Sequence, residues 1–340
     1  MAPGSLGTYQ WYAGHIEMQT VSGPGSKRNI ELIATPIEFG GFNLMATDKI
    51  EQGQKSLVGA GVIYPQGSTW TVDAGTNTSA TVYVTDYAAQ TVGATSFRDF
   101  TTVATKGLSM FYADSYPVEN LLGEEDFGIA EDAQDMGHMA INYGNEAMWF
   151  RYGKNPTVVG GNAMCAGEAS SDVCLGGVGA QVGDKDPGEA FANSLVGGDP
   201  ETAVFTVQAG TPFRMHVLMP FSPGRGSTYD LHGHSFQRDP YVCPDDSDLG
   251  IDGKCDMGTG MDAGLPGSGS VGSQALGDNP IGFHIGGIES WFSGQHYEVV
   301  ISSAGGEHKV DGDFLFRDHM GLGNAGGLWG IVRVEPAPAP

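Results

Sequence analysis

Ala203–Tyr241 reads AVFTVQAGTPFRMHVLMPFSPGRGSTYDLHGHSFQRDPY, and this stretch decides the fold. Val204–Val207 and Phe213–Leu218 are short runs of β-branched, aromatic and long apolar residues, parted by Gly210 and Pro212. Phe213, Met215 and Val217 occupy alternate positions, and alternate residues of a strand project to one side. His216 then points to the opposite face, away from the core, and reads as an ordinary strand residue. A second break at Pro223–Gly226 precedes Leu231–His234, the tetrad LHGH. On an extended chain His232 and His234 would share a face, so both imidazoles would reach one metal ion or two adjacent ones. Gly233 between them would admit a close neighbour.

Comparable runs recur outward from this stretch: Thr8–Tyr12, Leu57–Tyr64, Ala80–Thr85, Tyr297–Ile301 and Phe314–Phe316. Only Asp48–Gln54 is spaced like a helical turn. The 54 Gly and 18 Pro, beside 40% hydrophobic residues, suit many short strands joined by tight turns. The pattern predicts an all-β protein of sandwich type. A length of 340 residues accommodates two cores. Residues 1–155 are strand-rich, 156–198 form a loose Gly-rich stretch, and a fresh strand pattern runs from Thr202 to Val334. The expected division is therefore 1–155, a linker over 156–198, and 199–340. Glu335–Pro340 alternates Pro and Ala and reads as an extended end.

Sixteen basic against 40 acidic residues give a formal charge of −24. That field repels nucleic acid and anionic membranes and attracts cations, although acidic surfaces also serve solubility alone. No run approaches the roughly 20 apolar residues that cross a bilayer, so no membrane span is expected. The four Cys form two close pairs, Cys165 with Cys174 and Cys243 with Cys255, neither spaced as C-x-x-C. Both pairs lie in Gly- and Asp-rich loops, where a short disulfide would restrain the chain. The expectation is a disulfide-containing protein of an oxidising compartment: secreted, periplasmic or at the cell surface. Met1–Gly7 has neither the basic start nor the apolar run of a signal peptide, so a processed form or a fragment is expected.

The LHGH stretch resembles the penultimate copper-motif region of bacterial multicopper oxidases, including the manganese-oxidase-like ones. The closing stretch Ala304–Val334, AGGEHKVDGDFLFRDHMGLGNAGGLWGIVRV, is similar to that family's final strand pair. Weaker echoes are Gly7–Gly14, Thr35–Trp70 and Ile141–Gly153. The resemblance implies two cupredoxin-like Greek-key β-sandwich domains, the first degenerate and without a copper motif, the second carrying HGH. It further implies copper held by His232, His234 and His319, of the type 2 or type 3 kind. His319 falls where the family has the second His of an H-C-H triplet, but Arg317 and Asp318 precede it. Asp318 cannot replace a thiolate ligand, and the upstream blue-copper His would fall near Pro223, so no type 1 copper is expected. The family's complete trinuclear clusters pool eight histidines from two domains; the nine His here do not form four H-x-H pairs, so the resemblance implies no complete centre in one copy.

Cys243–Asp256 suggests a second metal site. Asp246, Asp248, Asp252 and Asp256 offer hard oxygens around Gly250, loosely like a calcium loop, but without the bidentate Glu that closes an EF-hand. The same residues also read as a solvated insertion. Acidic residues from Gly123 to Asp135 have no ligand spacing. His15, His138, His284, His296 and His308 read as surface or structural. No nucleophile elbow, phosphate-binding loop, dinucleotide fingerprint or H-E-x-x-H occurs.

Two readings follow. The first is a copper-binding part of an oxidase that passes electrons from a metal ion or a phenol to dioxygen. It is incomplete as one chain and relies on further cupredoxin domains or other copies of itself. The second is a catalytically silent secreted protein of structural or assembly type. Nitrite reductases and small laccases of similar length need a Cys ligand near the site, which is missing here.

Overall fold

The computed structural model describes residues 15–22, 28–35, 40–48, 52–53, 57–64, 67–84, 96–108, 138–146, 198–222, 226–237, 284–319 and 327–338. The described strands before residue 200 are β1 (His15–Ser22), β2 (Arg28–Thr35), β3 (Gly40–Met45), β4 (Val58–Ile63), β5 (Ser68–Val72), β6 (Ser79–Val84), β7 (Ser96–Leu108) and β8 (His138–Ile141). After it come β9 (Val204–Gln208), β10 (Phe213–Phe221), β11 (Ser227–Leu231), β12 (Phe236–Gln237), β13 (His284–Ile285), β14 (Gly287–Trp291), β15 (His296–Ile301), β16 (Gly312–Asp318) and β17 (Trp329–Glu335). The described residues are all β or irregular, as the sequence predicts. Of Asp48–Gln54 only Asp48, Gln52 and Gly53 are described, and the Gln52 and Gly53 amides both donate to the Asp48 carbonyl at 3.2 Å.

Two sheets face each other. One runs β15-β10-β7-β6-β5, with β8 also paired to β7, and the other β14-β11-β16-β17-β9. Between them Phe100, Phe213, Met215, Val217 and Val299 of the first sheet meet Phe205, Tyr229, Trp291, Phe316 and Val332 of the second. These side chains are almost completely buried, and each large one contributes about 1.5–3 kcal/mol by leaving water. The alternation of Phe213, Met215 and Val217 is what turns them inward together. Strand pairing runs across the expected boundary at 156–198: β7 lies parallel to β10, Phe213 opposite Arg98 and Val217 opposite Thr102. Phe100 and Ala104 thus share one core with residues beyond 200.

β10 is buried on both faces. Its inner face meets the core, and across its outer face lies the β3–β4 hairpin, in which Gly40 pairs with Ile63 and Met45 with Val58. We call this hairpin the strap. Glycine lets it approach closely. A Cβ on Gly41 would stand 2.9 Å from the His216 Cβ, and one on Gly40, at φ +77°, would meet the Glu298 carboxylate within 2.4–2.8 Å. Tyr64, just past the strap, packs on Val82, Val84 and Phe97.

Candidate metal centre

β11 and β16 are antiparallel neighbours, with Asp230 opposite Arg317 and Leu231 opposite Phe316. Leu231 and Phe316 enter the core, so Asp230 and Arg317 face outward. The ladder continues past both strand ends: the His232 amide donates to Leu315 O at 2.9 Å and the His319 amide to Thr228 O at 2.6 Å. His232 and His319 thereby flank Asp230. His232 Nε2 lies 3.3 Å and His319 Nδ1 3.1 Å from the same oxygen, Asp230 Oδ2. Arg317 completes the group, its Nε 3.5 Å from Asp230 Oδ1 and its Nη2 3.4 Å from His319 Nδ1. The two imidazoles are 45% and 62% exposed, so a dissolved ion reaches both without passing the core. A cavity of about 250 Å³ opens beside them, lined by His232, Asp313, Phe314, Leu315, Arg317 and Ile331.

His234 does not join them. The strand ends at Leu231, and the following turn carries Gly233 at φ +69°, a left-handed conformation that reverses the side-chain direction. A Cβ at Gly233 would come within 2.6 Å of the Phe314 ring, so the turn has room only for glycine. His234 consequently points inward, edge-on to Phe213 and Phe314 at ring separations of 5.5 and 4.7 Å. Both ring nitrogens are occupied: Nδ1 donates to His232 O at 3.1 Å and Nε2 accepts from the Gly305 amide at 3.0 Å. Burial lowers its pKa, outweighing the carbonyl hydrogen bond, and the neutral ring is a fully partnered core histidine. The expectation that His232 and His234 share a face is corrected here, because it assumed a strand where the chain turns.

Asp318 is buried, and its Oδ1 accepts from the Thr228 amide at 2.9 Å while Oδ2 lies 3.6 Å from Lys106 Nζ. This position therefore carries a structural ion pair. It offers no soft ligand.

The largest departure from expectation is His216. It does face away from the main core, but that face lies under the strap and the residue is fully buried. Nε2 contacts Asp99 Oδ1 at 2.7 Å and Nδ1 contacts Glu298 Oε2 at 2.6 Å. Ionised carboxylates only accept, so both ring nitrogens donate and the ring is an imidazolium. Burial alone lowers the pKa of this ring, but the charges of Asp99 and Glu298 and their hydrogen bonds overcome it and push the value up to about 10. Asp99 and Glu298 come from β7 and β15, far apart in sequence. The signal that was available is a carboxylate inside each of two apolar strands, SFRDFTTV and HYEVVI.

Among the described residues no three His, Cys, Asp or Glu side chains stand ready around a common point for a metal. At Asp230, His232 and His319 the two imidazoles are turned onto one carboxylate oxygen. Two imidazoles and a carboxylate suit copper chemically, and exposed side chains can rotate from the carboxylate onto an ion. Among the described residues no thiolate stands beside this group, so a blue centre does not fit it. The loop with Asp246, Asp248, Asp252 and Asp256, and both Cys pairs, lie outside the described residues. His308 is exposed. No described helix is long and apolar enough to cross a membrane.

Comparison with known proteins gives fold-level likeness only. The chain is similar to a copper nitrite reductase from Nitrosomonas europaea, 11% identical over 92% of this chain and 68% of that one, with a TM-score of 0.39. It is similar to a multicopper oxidase, 11% identical over 95% and 71%, with a TM-score of 0.37. A copper-containing nitrite reductase from Thermus scotoductus is 13% identical over 92% and 44%, with a TM-score of 0.34. No protein-family profile matches the chain, and no curated protein matches it.

Proposed function

We propose that the chain is a cupredoxin-like copper-binding protein of multicopper-oxidase type, with His232, His319 and Asp230 as its ligands. The convergence of the two exposed imidazoles on one carboxylate oxygen carries this reading. Bound copper would supply one-electron chemistry towards dioxygen, with a metal ion or a phenol as reductant. The chain's own contribution is to hold two imidazoles and the Asp230 carboxylate together at one sheet end, with Arg317 beside Asp230 and His319. Without a blue centre it depends on further cupredoxin domains or another copy for electron entry. Secretion, disulfides at the Cys165–Cys174 and Cys243–Cys255 pairs, and calcium at the Asp246–Asp256 loop belong to the same reading.

A second reading, a catalytically silent secreted structural protein, is favoured by two observations. The third histidine of the expected set is a partnered core residue, and the position of the expected thiolate carries a buried ion pair. Copper(II) titration followed by electron paramagnetic resonance separates the two. The oxidase-type reading expects a nitrogen-coordinated, non-blue copper signal in the native chain, lost in the double variant His232→Ala/His319→Ala. Equal signals in both proteins, or none in either, would leave the silent reading standing.

A further inference from the structure

We propose that Asp99, His216 and Glu298 form a proton-controlled latch that holds the strap on the outer face of the six-stranded sheet. The hydrogen bonding of the triad is complete. Asp99 Oδ1 accepts from His216 Nε2 and Asp99 Oδ2 from the Tyr64 hydroxyl, both at 2.7 Å. Glu298 Oε2 accepts from His216 Nδ1 and Glu298 Oε1 from the Gly41 amide, both at 2.6 Å. Every carboxylate oxygen therefore has a donor. Two donors belong to the sheet's own histidine, and the other two belong to the strap's first strand and to the residue that follows its second.

Gly41 and Tyr64 lie at the same end of the strap, beside the pair Gly40–Ile63. The far end is fastened by neutral bonds at exposed positions. Asn43 Nδ2 donates to Gly294 O and Gln295 O at 3.0 Å each, and the Tyr143 hydroxyl to Val58 O at 2.7 Å. One end thus depends on charge and the other does not.

Titratable and charged groups facing the imidazole are Asp99 from β7, Glu298 from β15 and Tyr64 from the strap, with Arg214 two residues away on β10. Arg214 is buried with its guanidinium 4.0 Å over the Phe97 ring, and its charge balances the excess of one carboxylate. With the imidazole protonated, the layer under the strap is neutral overall. If the imidazole loses its proton, two buried carboxylates face each other across a ring that can donate to only one of them. That state favours a lifted strap and water entry.

The sign follows from proton uptake. Lifting the strap lets water screen Asp99 and Glu298, which stay beside the ring on the sheet, so the ring holds its proton less firmly than under the strap, where it keeps it to about 10. In the pH window between the open-state and closed-state values closing the strap binds a proton, so a rise in pH lowers the closed-to-open ratio, by at most about tenfold per unit. Below that window the latch is fully engaged, and above it the latch is spent.

Amide hydrogen exchange on the whole chain tests this, corrected for the intrinsic pH dependence of exchange. From about pH 7 to about pH 9 the protection of Gly41, Phe42 and Ile63 is expected to fall several-fold, with roughly a hundredfold as the ceiling, and with a smaller change at Met45 and Val58. In Glu298→Gln the side chain still accepts from the Gly41 amide but carries no charge, and the pH slope at these amides is expected to flatten. Ring carbon and proton shifts of His216 in the native chain give a reading that needs no variant: the ring should be an imidazolium at about pH 8. A neutral His216 at that pH, or strap protection independent of pH in the native chain, or an undiminished slope in Glu298→Gln, overturns the latch.

Discussion

His216 and His319 each rest against a carboxylate at about hydrogen-bond distance, yet the two pairs differ in every consequence. His216 is sealed under a strap and has each ring nitrogen hydrogen-bonded to a different carboxylate. His319 stands in solvent at the end of β16, shares Asp230 with His232, and can leave that carboxylate at little cost. Low dielectric makes the first arrangement a structural commitment, while water makes the second a pair of available ligands. His234 is a third case, buried without a carboxylate and therefore neutral. Burial and partner, more than residue type, decide what each histidine does.

The sharpest way to break this comparison is to delete each imidazole in turn. His216→Ala leaves two buried carboxylates without their cation and should cost about 3–5 kcal/mol in urea unfolding. A cost below about 1 kcal/mol would show that the triad is not a charged unit. Gly41→Ala pushes a methyl group into the His216 Cβ and is expected to cost about 1–3 kcal/mol, read by the same titration, with His319 spectroscopically unchanged.

Acid and base should act on opposite histidines. The raised pKa of His216 means that the folded state keeps a proton the unfolded chain has lost. Its contribution is complete below about 6.5 and falls as pH rises towards about 10, by at most roughly 1.4 kcal/mol per pH unit. His234 has a lowered pKa, so the unfolded chain takes up the proton first and stability from this residue falls as pH drops below its ordinary value. Unfolding curves of His234→Gln and of Glu298→Gln across that range should lose the acid and the alkaline slope respectively.

The smallest effect on folding belongs to the exposed pair. His232→Ala and His319→Ala should each shift stability by less than about 0.5 kcal/mol while weakening copper(II) binding in calorimetry by at least about tenfold. A copper affinity unchanged by both substitutions would remove the chemical half of the comparison.

Much of this was legible in the residues. Period-two alternation in Phe213–Val217 placed a core strand and its inward face, because burial of one sheet face selects that pattern directly, and Val204–Val207 was legible as a strand run. His232 and His319 were associated only through the family resemblance of LHGH and the closing stretch, and no local pattern links the two. Asp230, two positions before His232 on the same face, carried a signal that the period-two rule exposes. Other features had no local signature. Parallel pairing of β7 with β10 joins residues more than a hundred positions apart, and nothing near residue 98 announces residue 213. The inward turn of His234 depends on Gly233, whose left-handed φ is permitted by its residue type but chosen by the packing of Phe314.

The sequence by itself determined the strands, their apolar faces, the acidic charge and the lack of a thiolate beside His319, because each is a property of residue type and spacing. Tertiary structure alone decided which histidine is exposed, which is neutral and which is locked as a cation. Those states depend on the dielectric and on partners brought from distant strands, and neither is written in the neighbouring residues.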